Sequence, residues 1–396
     1  MSRDPGSLVT TLDSRLRGND NNVMPNWDQI RKKDFPITKK YIYLDHAAGG
    51  VIARPVYEAA HAFWNETLTA GDFLWTDWLK RKEEARRKIA RFINADPEEI
   101  AFVPNTSEGM NLIADLLEGE GEVLASEMEF PSSTVPWLYR KIPFRFLKAP
   151  GNRTLPEDFE KAVRPKTKIF VSSYVQYASG FRQNLPALSR IAKKHDCYFV
   201  VNASQALGAF PIDVKAMGID CLAANSYKWM LAGYGGGIVY IRKDLLRSKK
   251  PRFAGWRSVK HPEKYNNRTI ELKPEASRYE YGGSPFANFF AFGAACDYLS
   301  SMGKEAIAKR ILSLTEYLVD ELKANSIGAL SPLESEFRSG IVIAKVPNPE
   351  RVQRILFREK IFTIPRGGGL RIAPHFYNRQ SDLDAVIRIL RREKEK

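Results

Sequence analysis

One lysine in this chain resists explanation as packing. Lys228 stands in Asn225-Ser226-Tyr227-Lys228-Trp229-Met230-Leu231-Ala232-Gly233-Tyr234-Gly235-Gly236-Gly237, between a strand-like apolar run and a glycine-rich turn. An isolated ammonium held out of water is costly unless it is paired or neutralised, and a neutral ε-amine is the form that condenses with an aldehyde. Lys228 is therefore expected to be a Schiff-base lysine.

Three further segments carry polar or aromatic groups at comparable places. Val200-Val201-Asn202-Ala203-Ser204-Gln205 puts two side-chain amides at the end of an expected strand, one crossover before the lysine. Pro104-Asn105-Thr106-Ser107-Glu108-Gly109 puts hydroxyls and free backbone amides at the start of an expected helix, where orphan N–H groups and the helix dipole bind phosphate. Taken alone, that segment is more simply explained by a Thr106 or Ser107 N-cap. Phe130, at the tip of Glu127-Met128-Glu129-Phe130-Pro131, is placed to stack on a flat heteroaromatic ring, a contact worth ~0.5–1.5 kcal/mol beyond burial; by itself it reads as core.

Between residues 100 and 245, short β-branched runs alternate with helical periodicity. Strands are expected over 122–126, 144–149, 169–174, 198–202, 221–225 and 238–242, and helices over segments such as 109–117 and 186–195. That alternation predicts an α/β fold: a mainly parallel sheet covered by helices on both faces. Ligands bind such sheets at the carboxyl ends of the strands, which is where Phe130, Gln176, Tyr177, Asn202 to Gln205 and Lys228 fall. Beyond about residue 295, helices over 307–325 and 382–392 flank strands over 340–346 and 370–372, predicting a smaller α+β domain. The expected division is a disordered leader over 1–23 with translation starting at Met24, an N-terminal segment over 24–54 packing on the small domain or cleft, a large domain over 55–294 and a small domain over 295–396.

With 396 residues and 44% hydrophobic composition the chain can bury a large core, and no run approaches the roughly 18 apolar residues of a membrane span. It lacks an apolar secretory block, so the cytoplasm is the expected compartment. A balance of 61 basic against 46 acidic residues gives +15, but the cations are spread along the chain and read as solvated helix faces, not a nucleic-acid site. The three cysteines, Cys197, Cys221 and Cys296, fit reduced buried thiols, and the five histidines never fall at metal-ligand spacing, so no metal is expected.

In their order and spacing, several motifs together resemble the class V aminotransferases of the fold-type I pyridoxal-phosphate enzymes, a group that includes cysteine desulfurases, kynureninases and isopenicillin N epimerase-like proteins. They are Tyr43-Leu44-Asp45-His46-Ala47-Ala48-Gly49, Asn105-Thr106-Ser107-Glu108-Gly109, Glu129-Phe130-Pro131-Ser132, Ala203-Ser204-Gln205-Ala206-Leu207-Gly208, Ser226-Tyr227-Lys228-Trp229 and Leu370-Arg371-Ile372-Ala373-Pro374-His375-Phe376-Tyr377-Asn378. The resemblance spans about residues 41–380. It implies pyridoxal 5'-phosphate as cofactor, held by Lys228, with Thr106 and Ser107 on the phosphate and Asn225 and Tyr227 on the phosphate side. It further implies Phe130 on the ring face, where many relatives have histidine, and Gln205 on the phenolic oxygen, helped by Gln176 or Tyr177. Arg371 matches the arginine that clamps the substrate α-carboxylate, a bidentate task suited to guanidinium. His46, Arg366, Trp75 and Trp78 are further pocket candidates, each equally readable as structural. Ser284, in Gly282-Gly283-Ser284, matches a loop that reaches a partner subunit's phosphate, so a homodimer is implied. The implied activity is that of an aminotransferase-type transferase on an amino acid or amine. A carbon–sulfur or carbon–selenium lyase is the alternative among enzymes, and a cofactor-retaining binding protein the alternative outside them.

Two departures stand out. Asn202 occupies the place where the family usually has the aspartate that keeps the pyridine nitrogen protonated, and asparagine cannot supply that charge. The loop Phe362-Thr363-Ile364-Pro365-Arg366-Gly367-Gly368-Gly369 has no cysteine to accept sulfur as a persulfide, which argues against a desulfurase relay.

Overall fold

A computed structural model of the protein describes residues 25–394; the expected leader over 1–23 and Met24 lie outside the described residues. After a short strand β1 (Ile42–Tyr43), seven strands build the central sheet: β2 (Ile100–Val103), β3 (Glu122–Ser126), β4 (Phe144–Leu147), β5 (Thr167–Ser173), β6 (Tyr198–Asn202), β7 (Cys221–Asn225) and β8 (Gly237–Ile241). Their order across the sheet is β2-β8-β7-β6-β5-β3-β4. β4, β3, β5, β6 and β7 run parallel, and β8 lies antiparallel between β7 and β2.

Alternating residues of these strands feed two separate cores. Leu124, Phe170, Phe199 and Leu222 enter one, packed by the helices Trp75–Ile93, Leu185–Lys194 and Phe286–Met302 through Ile89, Leu188 and Phe292. Val123, Ile169, Val200 and Ala223 enter the other, packed by Thr106–Leu116 and Pro131–Tyr139 through Ile113 and Trp137. Burial on both faces is why the strands read as continuous apolar runs. The helix Thr106–Leu116 lies so close that a Cβ on Gly109 would stand 2.9 Å from the Ala223 Cβ, which explains the glycine. All six expected strands of this sheet are present within a few residues; β2 escaped notice because its four buried residues carry no period.

The smaller α+β unit has the antiparallel sheet β11-β12-β9, formed by β9 (Val342–Ala344), β11 (Ile364–Arg366) and β12 (Gly369–Ile372), while β10 (Ile361–Phe362) pairs in parallel with β1. Its core joins Leu318, Val342, Ile372, Val386 and Leu390 with Leu44 from the N-terminal segment. The expected division after residue 294 falls inside the helix Phe286–Met302, whose Phe289 and Leu299 both pack against the large sheet. The next helix, Lys304–Ala324, straddles the two cores, sending Ile311 into one and Leu318 into the other. No helix among the described residues is long and apolar enough to cross a membrane.

Candidate active site

The carboxyl ends of β2, β3, β5, β6 and β7 open on one edge of the large sheet, and the side chains that follow them line a cavity of about 310 Å³. β7 ends at Asn225, and the chain then folds back through a turn in which Ser226 Oγ donates to the carbonyls of Gly233 (2.7 Å) and Gly236 (2.8 Å) and the Leu231 N–H donates to the Lys228 carbonyl (3.2 Å). Leu231 pays for this turn with φ +58°, a region L side chains rarely adopt. The N-terminal segment clamps the turn from outside: the Gly50 N–H donates to the Tyr227 carbonyl at 2.6 Å, and a Cβ on Gly50 would stand 2.0 Å from the Lys228 carbonyl oxygen.

Lys228 emerges from this turn 92% buried and lines the cavity, with Nζ 5.7 Å from the Phe130 ring centroid and 5.8 Å from that of Tyr227. Burial pushes its pKa down to about 8; the Arg371 cation pushes the same way and the Asp45 carboxylate opposes it. The amine is thus neutral far more often near pH 7 than an ordinary lysine.

Thr106, Ser107, Phe130, Tyr177, Asn202, Gln205, Asn225 and Tyr227 line the same cavity, joined by Glu108, Ser132, Ser173 and Ser204. At the helix start, Asn105 and not Thr106 or Ser107 is the N-cap: its side chain accepts from the Glu108 N–H at 3.0 Å. The Thr106 hydroxyl instead bonds Ser204 Oγ at 2.7 Å and accepts from Asn225 Nδ2 at 3.3 Å. Phe130 meets Tyr177 edge to face, ring centroids 5.0 Å apart, and Tyr227 stacks on Tyr234 at 4.2 Å. Asn202 is fixed on both sides of its amide: Oδ1 accepts from the Ser204 N–H (3.0 Å), and Nδ2 donates to Ser133 Oγ (2.9 Å) and Ser132 Oγ (3.4 Å).

The donor set suits pyridoxal phosphate. A helix N-terminus with hydroxyls at its first two residues offers an anion site, Phe130 offers a ring face, and the buried Asn225 Oδ1 has no hydrogen-bond partner among the described residues. The cavity is of the size that small-ligand sites occupy.

Three expectations, those for Gln176, Gln205 and His46, need correction. Gln176 does not line the cavity, because its Nε2 turns to the buried Glu129 carboxylate at 2.6 Å. Gln205 lines it, but its Nε2 donates to the Ala47 carbonyl (2.8 Å) and its Oε1 accepts from Trp229 Nε1 (2.9 Å), so both ends of its amide are engaged within the protein. His46 is a fully buried core histidine, bonded to the Ala373 carbonyl (3.0 Å) and the Tyr377 hydroxyl (2.8 Å), and burial pushes its pKa down to about 4. Ser284 lies in a neighbouring cavity of about 450 Å³, where its hydroxyl accepts from the buried Lys82 at 2.7 Å; Glu108 borders both cavities. Trp75 and Trp78 pack in a cluster with Phe63 and Phe286 and are structural. His375 is equally buried, bonded to the Trp229 carbonyl at 3.0 Å.

Arg371, on β12, does not line the cavity but sits behind its wall against Tyr177, and sequence reasoning missed its partner. Its Nη2 pairs with Asp45 Oδ1 at 3.2 Å, its Nη1 donates to the Tyr177 carbonyl at 3.3 Å, and its buried Nε has no acceptor among the described residues. Burial raises the Asp45 pKa and lowers that of Arg371, each against the pull of the other. Asp45 stood within a quoted motif, one residue from His46, but only the β1-to-β10 pairing and the Asp45–Ala373 bridge show that it faces Arg371.

The description of class-V aminotransferases matches residues 42–389 of the chain. The chain belongs to the class-V aminotransferase family. Members of this family are pyridoxal-phosphate enzymes, and this one acts on an amino acid or related amine. It is 26% identical to an uncharacterized aminotransferase of Bacillus subtilis, across 89% of this chain and 94% of that one. It is 30% identical to a probable cysteine desulfurase of Methanothermobacter thermautotrophicus, across 72% and 74% of the two chains. Among solved structures, the cysteine desulfurase of Thermococcus onnurineus superposes with a TM-score of 0.86 at 23% identity, covering 95% of this chain and all of that one. The cystine C–S lyase C-DES superposes at 0.84 with 20% identity, covering 90% and 99%. These two likenesses establish the fold. The three cysteines of this class-V member are buried and free, and burial raises the pKa of each thiol.

Proposed function

We propose that this class-V enzyme transfers the amino group of an amino acid, with Lys228 as the amine that captures the cofactor and then moves the proton at the substrate Cα. The single observation that carries this reading is a lysine amine 92% buried in the cavity, its pKa pushed down to about 8, with Arg371 close enough to contribute to that shift. Bound pyridoxal phosphate would supply an aldehyde to trap amines and a ring to draw electrons from Cα. The chain's own residues would do the rest. Thr106, Ser107, Asn225 and Tyr227 would hold the phosphate end, Phe130 would cover a ring face, Asn202 would face the ring nitrogen and Tyr177 and Gln205 would bound the opposite side. Arg371 would take the substrate α-carboxylate through the free Nε edge, leaving Asp45 to orient its other edge. Once displaced from the cofactor, the Lys228 amine would be the general base at Cα.

Ser284 would serve the cavity of a second copy, making the protein a homodimer; support comes from its position beside a cavity that shares Glu108 with this one. Free, buried cysteines fit a reducing, cytoplasmic setting. Absence of a loop thiol favours amino transfer over sulfur relay.

The test is a panel of amino acids with 2-oxo-acid acceptors, following formation of the new 2-oxo acid by a coupled dehydrogenase, with Lys228→Ala as control. Acceptor-dependent turnover lost in the control supports the reading. Sulfide release from cysteine or cystine without an acceptor would replace it with the lyase alternative.

A further inference from the structure

The hairpin that carries Arg371 carries a second arginine, Arg366, which the proposed chemistry leaves unused. β11 and β12 pair in antiparallel register, with Ile364 opposite Arg371 and Arg366 opposite Gly369. Residues opposite each other share a face of a sheet, as do residues two apart on one strand. Arg366 therefore stands on the same face as Arg371, its diagonal neighbour across the hairpin. Such neighbours lie roughly 7–8 Å apart, within reach of long side chains. The turn between them is seated on the cavity wall. At Gly367, with φ +63°, a Cβ would overlap the Ala178 carbonyl oxygen, and one residue earlier the Tyr177 carbonyl accepts from Arg371 Nη1 at 3.3 Å. The Tyr177 side chain lines the same cavity as Lys228.

Partners set the two arginines apart. Arg371 is 3% exposed and pairs with Asp45, whereas Arg366 is exposed and has neither an ion pair nor a hydrogen bond among the described residues. Burial raises the Asp45 pKa, and the cations Arg371, Arg366 and Lys228 pull it back. One carboxylate thus faces three cations and is already engaged by one of them. Burial lowers the Arg371 pKa, and the Arg366 cation adds to that effect, as like charges across a hairpin do. An anion held between the two guanidinium groups would offset this repulsion, and the planar fork of each matches a carboxylate.

We propose that Arg366 is a specificity-determining residue that binds the side-chain carboxylate of a dicarboxylic amino acid whose α-carboxylate is held by Arg371. The enzyme then prefers acidic amino acids, such as aspartate or glutamate, to their uncharged counterparts. This rests on the reading of Arg371 as the α-carboxylate clamp of an amino-group transferase. Because Arg366 is open to water, its contribution is screened by salt.

The experiment uses the reconstituted full chain. Amino transfer from glutamate and aspartate is compared with transfer from glutamine and asparagine, which match them in shape and lack the charge. In Arg366→Gln the wild-type preference for acid over amide should fall about tenfold, mainly through KM, the scale of one charge-assisted hydrogen bond. Arg366→Lys, which keeps the charge without the fork, should retain part of the preference, and added salt should weaken it more in the wild type than in Arg366→Gln. Binding without turnover is read by calorimetry on the cofactor-loaded protein: glutarate should bind more tightly than butyrate, and Arg366→Gln should remove most of that difference. A preference for acid over amide that is absent in the wild type, or unchanged in Arg366→Gln, would overturn the assignment while amino transfer stands. A wild type that transfers no amino group from these four or from alanine would overturn the reading of the reaction. The calorimetric comparison would then still decide Arg366, equal binding of glutarate and butyrate overturning its role.

Discussion

If burial and Arg371 hold the Lys228 amine near neutrality, its protonation should be measurable without any cofactor. The pKa falls from 10.5 to about 8. A drop of that size corresponds to about 3 kcal/mol against the ammonium, and it makes the neutral amine about 300-fold more abundant at pH 7 than in an exposed lysine. Trace acetylation of the cofactor-free protein across pH 6–11, with the Lys228 peptide quantified by mass spectrometry against a surface lysine, reads the midpoint directly. The expected midpoint is about 8 for Lys228. Changing Arg371→Gln should raise it, because a neighbouring cation is removed, and Asp45→Asn should lower it, because the opposing carboxylate is lost. Since Asp45 also pairs with Arg371, both variants must first be shown to fold by near-UV circular dichroism. A wild-type midpoint near 10.5, or an upward shift in Asp45→Asn, would refute the electrostatic account.

The same shift has a stability consequence whose sign is fixed. A lysine depressed in the folded state binds fewer protons there than when unfolded, so its contribution to stability rises with pH between about 8 and 10.5 and is unfavourable below that window. Lys228→Met should therefore raise the melting temperature of the cofactor-free protein at pH 7, by up to about 3 kcal/mol of stability, with the gain vanishing near pH 10.5. Gly50→Ala places a methyl group against the Lys228 carbonyl and should cost about 2 kcal/mol or more, read as a lower melting temperature and weaker retention of pyridoxal phosphate. Arg371→Lys keeps the charge but loses the planar fork; it should raise KM for the amino acid about tenfold with a smaller effect on kcat.

Much of the fold was visible because a parallel sheet covered on both faces must be written as apolar runs separated by helical segments. The functional positions then followed from where those runs end. What escaped was set by tertiary pairing. Gln176 follows β5 as expected, yet it turns its amide to Glu129 and away from the cavity; no pattern in 171–180 records which way a side chain leaves a strand end. His46 sits one residue from Asp45, and only the register of β1 against β10 decides that the aspartate faces Arg371 while the histidine enters the core with Tyr377. Glu129 stands beside Phe130 in the sequence, yet its buried carboxylate is held by Ser173 and Gln176 at the end of another strand, contacts that only the tertiary structure supplies.

The distribution of charge around the cavity explains why one lysine can be both buried and reactive. Among the described residues no carboxylate comes within ion-pair distance of Lys228; the nearest charged influences are Arg371, which discourages the ammonium, and Asp45, whose charge is largely taken up by Arg371. Asp45 thus does two jobs by one contact. It lets a buried arginine persist, and by pairing with it prevents that arginine's full field from acting on the amine. When a substrate carboxylate arrives at Arg371 it brings a second negative charge, which raises the affinity of the nearby amine for a proton at the moment when a base is needed. Binding and proton abstraction are coupled through the same guanidinium, so replacing Arg371 with a neutral residue should weaken substrate binding and also remove the rise in the Lys228 midpoint that an added amino-acid carboxylate analogue produces in the cofactor-free protein.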